Sequence, residues 1–306
     1  MYGPDNLHLD MKTIFTLILT GLLTVSSGAF AQNEKNVDRL QIRGIVIRGI
    51  ITGEDNKQPL AYASVGLLNK PTGTISDSLG HFELAIGPED MADTLRVSTI
   101  GYLPLAQPVR ELEKRGDTIA ISLTRQIIQL NEVIVSNQFT HTLIVGRQSA
   151  GKLIQASIIP KGDKAPTVGG ETGISIQAPH YPAILDNVNF YISANNYKYI
   201  KFRVNIYSIK NNLPDTLLFN KEILVSLNNY KTGWTQVDLT ADNLVINADC
   251  AVTLQWVDYN KDMANSPQVL IPAGISLSHI TYFRIASQDK WRSVKGNPSF
   301  YVTLRD

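Results

Sequence analysis

The feature that most constrains the fold of this chain is the alternation of apolar and polar residues in short segments. At residues 63–67, 119–123 and 202–206, an apolar side chain occupies every second position. Side chains of a β-strand point alternately to the two faces of a sheet, so this period predicts half-buried antiparallel strands. Such segments recur along the chain between Gly, Asn, Asp and Pro. This spacing predicts an all-β chain of sandwiches rather than a fold with helical crossovers.

Residues 49–102 carry the most specific order of strands and turns. A strand reaches an Asp-Asn turn, and PLAYASVGLL, GTISDSLGHFEL and DTLRVSTIGY follow in that order. Gly80 suits a tight turn with positive φ, and Asp77 can accept bonds from backbone amides across that turn. Phe82 then returns to the core, and Gly101 permits a bend of the chain. We assign these residues to folding rather than to catalysis.

The stretch from about residue 43 to residue 136 resembles the carboxypeptidase-regulatory-like domain, a prealbumin-like Greek-key sandwich. The segments that carry the resemblance are Pro59-Leu60, Ala63-Ser64-Val65, Asp77-Ser78-Leu79-Gly80, Ile100-Gly101-Tyr102 and Leu130-Asn131-Glu132-Val133. Zinc carboxypeptidases of that family use a separate catalytic domain with a His-x-x-Glu pair. None of the five His residues of this chain has Glu three positions on. The resemblance therefore implies the accessory domain without its enzyme.

Residues 142–306 resemble a jelly-roll sandwich, similar to galactose-binding-like domains and to second domains of exported bacterial proteins. The resemblance is carried by RVNIYSIKNNLPDTLL at residues 203–218, by GW and VDL within residues 233–239, and by VTLQW at residues 252–256. Any ligand site is expected on this second sandwich, where polar loops present aromatic side chains. The candidate ligand-binding residues are Tyr197, Tyr259, Asn260 and Trp291. We expect Trp234 and Trp256 to fill the core.

Residues 11–31 have the layout of a secretory signal peptide. Lys12 precedes an apolar run of thirteen residues, and Ala-Phe-Ala ends the segment. Translation from Met11 fits this layout, which makes residues 1–31 a leader that the mature protein, beginning at Gln32, lacks. No other apolar run approaches the roughly 18 residues of a spanning helix. The layout predicts export, and the resemblance of residues 43–136 implies a Gram-negative bacterium. The expected location is therefore the periplasm, an association with the outer membrane, or secretion.

Charge and short motifs argue against several classes of ligand. The net charge is +1, without the basic bias that nucleic-acid binding requires. GRQSAGKL at residues 146–153 lacks the Ser or Thr of a phosphate loop, and DYNKD at residues 258–262 lacks the Gly and Glu of a calcium loop. We predict no cofactor, although a calcium ion held by backbone carbonyls would leave no such motif. Cys250, the single cysteine, is predicted to be a small buried apolar residue.

The sequence thus predicts an exported, non-enzymatic envelope protein with a binding, adhesion or scaffolding role. Its partner would be an envelope protein or a glycan. Two alternatives stay open. One is a hydrolase acting on glycan or peptide through a site in residues 142–306, and the other is a purely structural spacer.

Overall fold

A computed structural model shows the fold of the chain over most of its length. The residues that the structure describes are 44–116, 118–126, 139, 141–151, 154–157, 168–260 and 268–306. The predicted leader at residues 1–31 lies outside these ranges, as does most of the predicted boundary between the sandwiches. Over the described ranges, no helix combines the length and the apolar character that a membrane crossing needs. The fold is all-β and consists of two β-sandwiches, as the alternation predicts.

The described residues of the first sandwich form two sheets. Its elements are β1 (Ile45–Gly53), β2 (Ser64–Leu67), β3 (Gly73–Ile75), β4 (His81–Ile86), β5 (Thr94–Ser98), β6 (Leu105–Pro108), α1 (Val109–Glu113) and β7 (Thr118–Leu123), with a 3-10 turn at Pro88–Asp90. One sheet has the strand order β4-β1-β7 and the other β3-β2-β5-β6. β1 runs antiparallel to β4 and parallel to β7.

The core of the first sandwich follows from the period-two pattern. In β4 and β7 every second side chain is buried, including Phe82, Leu84 and Ile119. These side chains meet Val65 and Val97 from the opposite sheet in one apolar cluster. The alternation in the sequence therefore identified the inner faces correctly.

The turn before β4 has the predicted chemistry. Asp77 Oδ1 accepts hydrogen bonds from the amides of Leu79 and His81, each at 2.8 Å. Gly80 takes φ +77°, a left-handed conformation that side chains disfavour. The roles of Asp77 and Gly80 in this turn are confirmed.

In the second sandwich, the part of the chain that the structure describes forms three sheets. Its strands are β8 (Thr142–Gly146), β9 (Ile154–Ser157), β10 (Glu171–Ile176), β11 (Ala183–Ile192), β12 (Ala194–Asn195), β13 (Tyr199–Lys210), β14 (Leu213–Leu217), β15 (Ile223–Asn228), β16 (Gly233–Asp238), β17 (Leu244–Ile246), β18 (Cys250–Tyr259), β19 (Val269–Gly274), β20 (Ile280–Arg284), β21 (Arg292–Lys295), β22 (Asn297–Pro298) and β23 (Phe300–Arg305), with a 3-10 turn at Thr240–Asp242. The largest sheet has the order β14-β13-β18-β10-β20-β21, with β15 also beside β13. A second sheet has the order β16-β11-β23-β8, with β17 beside β11. A smaller sheet has the order β12-β19-β22, with β9 beside β19.

The largest sheet and the β16-β11-β23-β8 sheet enclose the core of the second sandwich. Phe190 from β11 and Phe202 from β13 meet edge to face, with their ring centres 6.1 Å apart. Trp256 is fully buried in the same cluster, as predicted. Cys250 is also fully buried there, and burial raises the pKa of its thiol to about 12. It fills the core as a small apolar residue, which confirms that prediction.

The two sandwiches pack against each other through sheet faces that point away from their own cores. Arg203 on β13 donates from Nη2 to the carbonyl oxygen of Tyr62, at 2.7 Å. Gln255 on β18 donates to the hydroxyl of Ser64 on β2, at 3.3 Å. These donors and acceptors are buried, and buried polar groups stabilise a contact only when they find partners.

Two glycines let the second sandwich approach the backbone of the first. A Cβ atom on Gly66 or on Gly73 would lie 2.3 Å from the carbonyl oxygen of Ser287. The neighbouring carbonyl of Gln288 accepts a bond from the amide of Asn69, at 2.9 Å. The turn at residues 286–289 therefore sits directly on β2 and β3.

A row of charged and amide side chains crosses the covered face of the largest sheet. Arg203, Gln255, Glu171 and Arg284 lie side by side on four adjacent strands. Glu171 has no exposed side-chain surface and accepts from Arg284 Nε at 2.8 Å, while Glu222 accepts from Arg203 Nε at 3.1 Å. The first sandwich covers part of this row, so each sandwich completes the burial of the other.

Candidate functional site

Tyr197, one of the predicted ligand residues, is wholly buried. Its ring packs edge to face against Trp256 at 5.7 Å and against Tyr259 at 5.5 Å. The side chain of Asn195 accepts a bond from the amide of Tyr197, at 2.9 Å, and so turns the loop inward. Burial raises the pKa of Tyr197. The expectation that this loop exposes Tyr197 is therefore wrong.

Tyr259 and Asn260 lie at the same end of the second sandwich as Tyr197. Tyr259 is half-buried and its ring centre is 5.0 Å from that of Trp256. Asn260 Oδ1 accepts a bond from the amide of Tyr199, at 3.1 Å, which holds the start of β13. The structure thus brings three of the four predicted residues together, in a cluster that supports the core.

Trp291 lies apart from that cluster, at the junction of the two sandwiches. The guanidinium of Arg284 stands 4.7 Å from the centre of its indole, and the ring of Tyr207 meets it edge to face at 5.5 Å. Trp291 lines an open groove of about 420 Å³. The other walls come from Asn69 of the first sandwich and from the β13–β14 hairpin. We call this depression the junction groove.

The second candidate region is the outer face of the sheet β16-β11-β23-β8, which the sequence analysis missed. Trp234 on β16 is 38 % exposed, so the expectation that it fills the core is wrong. The pattern of β16 explains its position, because Thr235 and Val237 turn inward while Trp234 shares its side of the strand with Gln236 and Asp238. The sequence contains this signal, because side chains two positions apart share a face of a strand and Gln236 and Asp238 are polar.

Three aromatic rings from three strands meet on this outer face. Trp234 packs edge to face against Tyr191 on β11, at 5.4 Å, and against Tyr301 on β23, at 5.2 Å. Trp234 and Tyr301 belong to strands on opposite sides of β11, so the indole reaches across the middle strand. Asn189, on β11 between them, is only 5 % exposed. The rings hold each other in place, since such edge-to-face pairs contribute about 0.5–1.5 kcal/mol each.

Polar side chains border the three rings along the same strands. They alternate with core residues, and they are Asn187, Asn189, Gln236, Asp238 and Thr303. We refer to these five residues together with Tyr191, Trp234 and Tyr301 as the aromatic face. It combines exposed ring surface with amides and a hydroxyl that donate and accept hydrogen bonds.

The charged side chains at the edge of the aromatic face form ion pairs or hydrogen bonds with other residues of the chain. Arg305 forms a forked contact with Asp186, from Nε to Oδ2 at 2.8 Å and from Nη2 to Oδ1 at 2.8 Å. Asp238 accepts bonds from the amide and the hydroxyl of Thr240, which lower its pKa. Asp238 is therefore the charged group of the aromatic face, and it is anionic at neutral pH.

Comparison with protein families supports the resemblance of the first sandwich. Its strands and the turn at Asp77 lie within the segment that the family covers. Residues 47–135 match the CarboxypepD_reg-like domain. This regulatory-like domain is a non-catalytic module by type, and it accounts for β1 to β7. The match does not extend to the sheets that carry Trp234 and Trp291.

Several solved structures are similar to this chain, among them two of the protein Cwp84. One is the crystal structure of the cysteine protease and lectin-like domains of Cwp84, a surface layer associated protein of Clostridium difficile, with 8 % identity and a TM-score of 0.39. The other is clostridial cysteine protease Cwp84 after propeptide cleavage, with 10 % identity and a TM-score of 0.39. In each case the match covers 76 % of this chain, but 45 % of the first structure and 51 % of the second. No curated protein matches.

Proposed function

We propose that this chain is an exported, non-enzymatic binding protein of a bacterial envelope, and that its aromatic face binds a neutral glycan. The observation that carries this proposal is the exposed Trp234, held between Tyr191 and Tyr301 beside a row of amides. Sugar rings present C–H surfaces that stack on aromatic rings and hydroxyls that bond with amides. A site of few polar groups around aromatic surface is typical of small-ligand recognition.

The charge of the aromatic face supports a neutral ligand. Arg305 is neutralised by Asp186, which leaves Asp238 as the charge on this face. An anionic ligand would be repelled by that carboxylate, and a cationic one would find a single partner. Neutral hydroxyls suit the amides of Asn187 and Gln236.

The proposed role of the first sandwich is to support the second. Its outer face is occupied by the turn at residues 286–289 and by Arg203, so this face is used within the chain. We propose that the regulatory-like domain spans residues 43–136 and the binding sandwich residues 142–306. In this proposal the first sandwich has the scaffolding role, and the second sandwich binds the ligand.

Two carboxylates, those of Asp215 and Asp289, line the junction groove, as a hydrolase would need. The contacts of Asp289 nevertheless argue against a hydrolytic role. The carboxylate of Asp289 is fully buried and accepts from Arg292 at 2.7 Å and from the amide of Lys290 at 2.8 Å. A carboxylate neutralised in this way holds a turn rather than donating a proton. The hydrolase and the structural spacer remain the alternatives that the following test distinguishes.

The test is binding of the mature protein, Gln32–Asp306, to a panel of neutral polysaccharides by affinity electrophoresis, with soluble products monitored in parallel. We expect retardation by at least one neutral glycan without release of products. Trp234→Ala should weaken binding about tenfold or more, as loss of an aromatic anchor does. Trp291→Ala is the matched control and should bind normally.

Three outcomes would contradict the proposal. Binding that survives Trp234→Ala would place the site elsewhere, product release would favour the hydrolase, and no retardation by any glycan would favour the spacer. The export component has its own test, which is the mass of the exported protein. An N-terminus other than Gln32, with the leader retained, would refute the predicted cleavage.

A further inference from the structure

The junction groove lies mainly on the second sandwich, and the first sandwich contributes one of its walls. Asn69 reaches it from the turn after β2, whereas Lys210 and Asn211 come from the β13–β14 hairpin of the second sandwich. The amide of Asn69 bonds to the carbonyl of Gln288, at 2.9 Å, which fixes the walls relative to each other. Its volume of about 420 Å³ falls within the range of small-ligand sites, about 300–1,000 Å³.

Trp291 forms a rigid wall of the groove. Arg284 lies over its indole at 4.7 Å, and Arg284 is itself held by the buried carboxylate of Glu171 at 2.8 Å. The edge-to-face contact with Tyr207 adds a second support. An aromatic wall that is supported from behind loses little conformational freedom when a ligand packs on it.

The charges of the groove favour an anionic ligand. Lys210 and Lys290 line it, and within the described residues neither forms an ion pair. Asp289 is buried and already paired with Arg292, so Asp215 is the carboxylate left to oppose the two lysines. The groove therefore carries surplus positive charge beside its aromatic wall. The side-chain amides of Asn69 and Asn211 add hydrogen-bonding groups.

We infer that the junction groove binds a hexuronic acid residue of an acidic glycan. The sugar ring would pack on Trp291, and its carboxylate would lie between Lys210 and Lys290. Asn69 and Asn211 would bond with ring hydroxyls. This inference goes beyond the proposed function, because it concerns a second site, a different ligand charge and both sandwiches.

The experiment measures binding of trigalacturonate and of a hyaluronan tetrasaccharide to mature Gln32–Asp306 by isothermal titration calorimetry. The methyl ester of trigalacturonate is the ligand control, because it keeps the ring and removes the charge. We expect at least one of the two acids to bind and added salt to weaken that binding. If trigalacturonate binds, its affinity should be at least tenfold higher than that of its methyl ester. The double variant Lys210→Glu with Lys290→Glu should lose at least tenfold in affinity.

Two further variants separate this site from the aromatic face. Trp291→Ala should abolish binding of the acid, whereas Trp234→Ala should leave it unchanged. Both lysines are exposed, so the double lysine variant should fold like the parent and give the same circular dichroism spectrum. A loss of affinity in this variant is then not explained by misfolding. Failure of both acids to bind, equal binding of acid and ester, or full binding by the lysine variant would overturn the inference. Loss of binding only in Trp234→Ala would assign acidic glycan to the aromatic face instead.

Discussion

At the residue scale, burial gives similar side chains very different roles. Trp256 is fully buried and supports the rings of Tyr197 and Tyr259. Trp234 is exposed on the opposite side of its sheet from the core and stands free to contact a ligand. Cys250 shares the interior with Trp256, so its thiol is held in its neutral form.

Cys250 provides a prediction about pH. The thiol of the folded protein has a pKa of about 12, whereas an unfolded cysteine has a pKa of about 8.5. The unfolded state therefore loses this proton first as the pH rises, which favours unfolding. Between pH 8 and pH 10.5 we expect this group to lower the free energy of unfolding by about 2.5 kcal/mol.

The measurement is urea unfolding of the parent and of Cys250→Ala at both pH values. Cys250→Ala lacks the thiol, so its free energy of unfolding should fall by less than that of the parent between the two pH values. Ionisation of tyrosines affects both proteins equally and cancels in this comparison. Equal losses in the two proteins would show that Cys250 is accessible to water in the folded state.

At the scale of elements, the backbones of β2 and β3 lie very close to the turn at residues 286–289. Gly66 and Gly73 make room for the carbonyl of Ser287. Gln288 continues this contact, since its side chain donates to Ser98 at 2.7 Å and accepts from Arg96 at 2.6 Å. The missing side chains of two glycines thus permit a network of hydrogen bonds between sandwiches.

Gly66→Ala should weaken this contact. The new Cβ would lie 2.3 Å from the carbonyl of Ser287 and 3.0 Å from that of Thr72, and backbone atoms cannot turn aside as side chains do. We expect a loss of about 1–3 kcal/mol, the usual cost of overpacking, measured by urea unfolding. Gly296→Ala is the control, because its Cβ would meet its nearest neighbour at 3.4 Å. Equal stability of the two variants would contradict the close packing of β2 on this turn.

The strands and the contacts between them differ in how far the sequence predicts them. Period-two alternation identifies the inner faces of β4, β7, β13 and β18, because burial acts on every second residue. Asp77 and Gly80 are predictable because a turn is local. Gly66 carries no such signal, since its requirement comes from Ser287, more than two hundred positions away. The polarity of the loop at Tyr197 predicts exposure, but a bond to Asn195 bends the loop into the core, which the composition of the loop does not reveal.

At the scale of the whole molecule, the two sandwiches share buried polar groups and should unfold together. Arg203 and Gln255 would lose buried partners on Tyr62 and Ser64 if the sandwiches separated, and unpaired buried donors are costly. All three tryptophans belong to the second sandwich, so their fluorescence reports on that part alone. Circular dichroism reports on both.

We therefore expect one urea transition with the same midpoint by tryptophan fluorescence and by far-ultraviolet circular dichroism. Coincidence of the two probes is the usual test of two-state unfolding. A circular dichroism change that is separate from the fluorescence change would mean that the first sandwich unfolds independently. Gly66→Ala tests the same coupling. A weakened contact between the sandwiches should move the midpoints measured by fluorescence and by circular dichroism apart.

The contact between the sandwiches also has a consequence for the order of assembly. The described strands of the first sandwich, β1 to β7, all precede residue 124, so they are synthesised before any strand that carries Glu171 or Arg203. Domains fold largely as they emerge, beginning at the N-terminus. The finished sheet of β2 and β5 can then act as a template on which the later strands align their charged row. A chain that stopped before β20 would lack Arg284, and Glu171 would have to enter that surface as an unpaired charge.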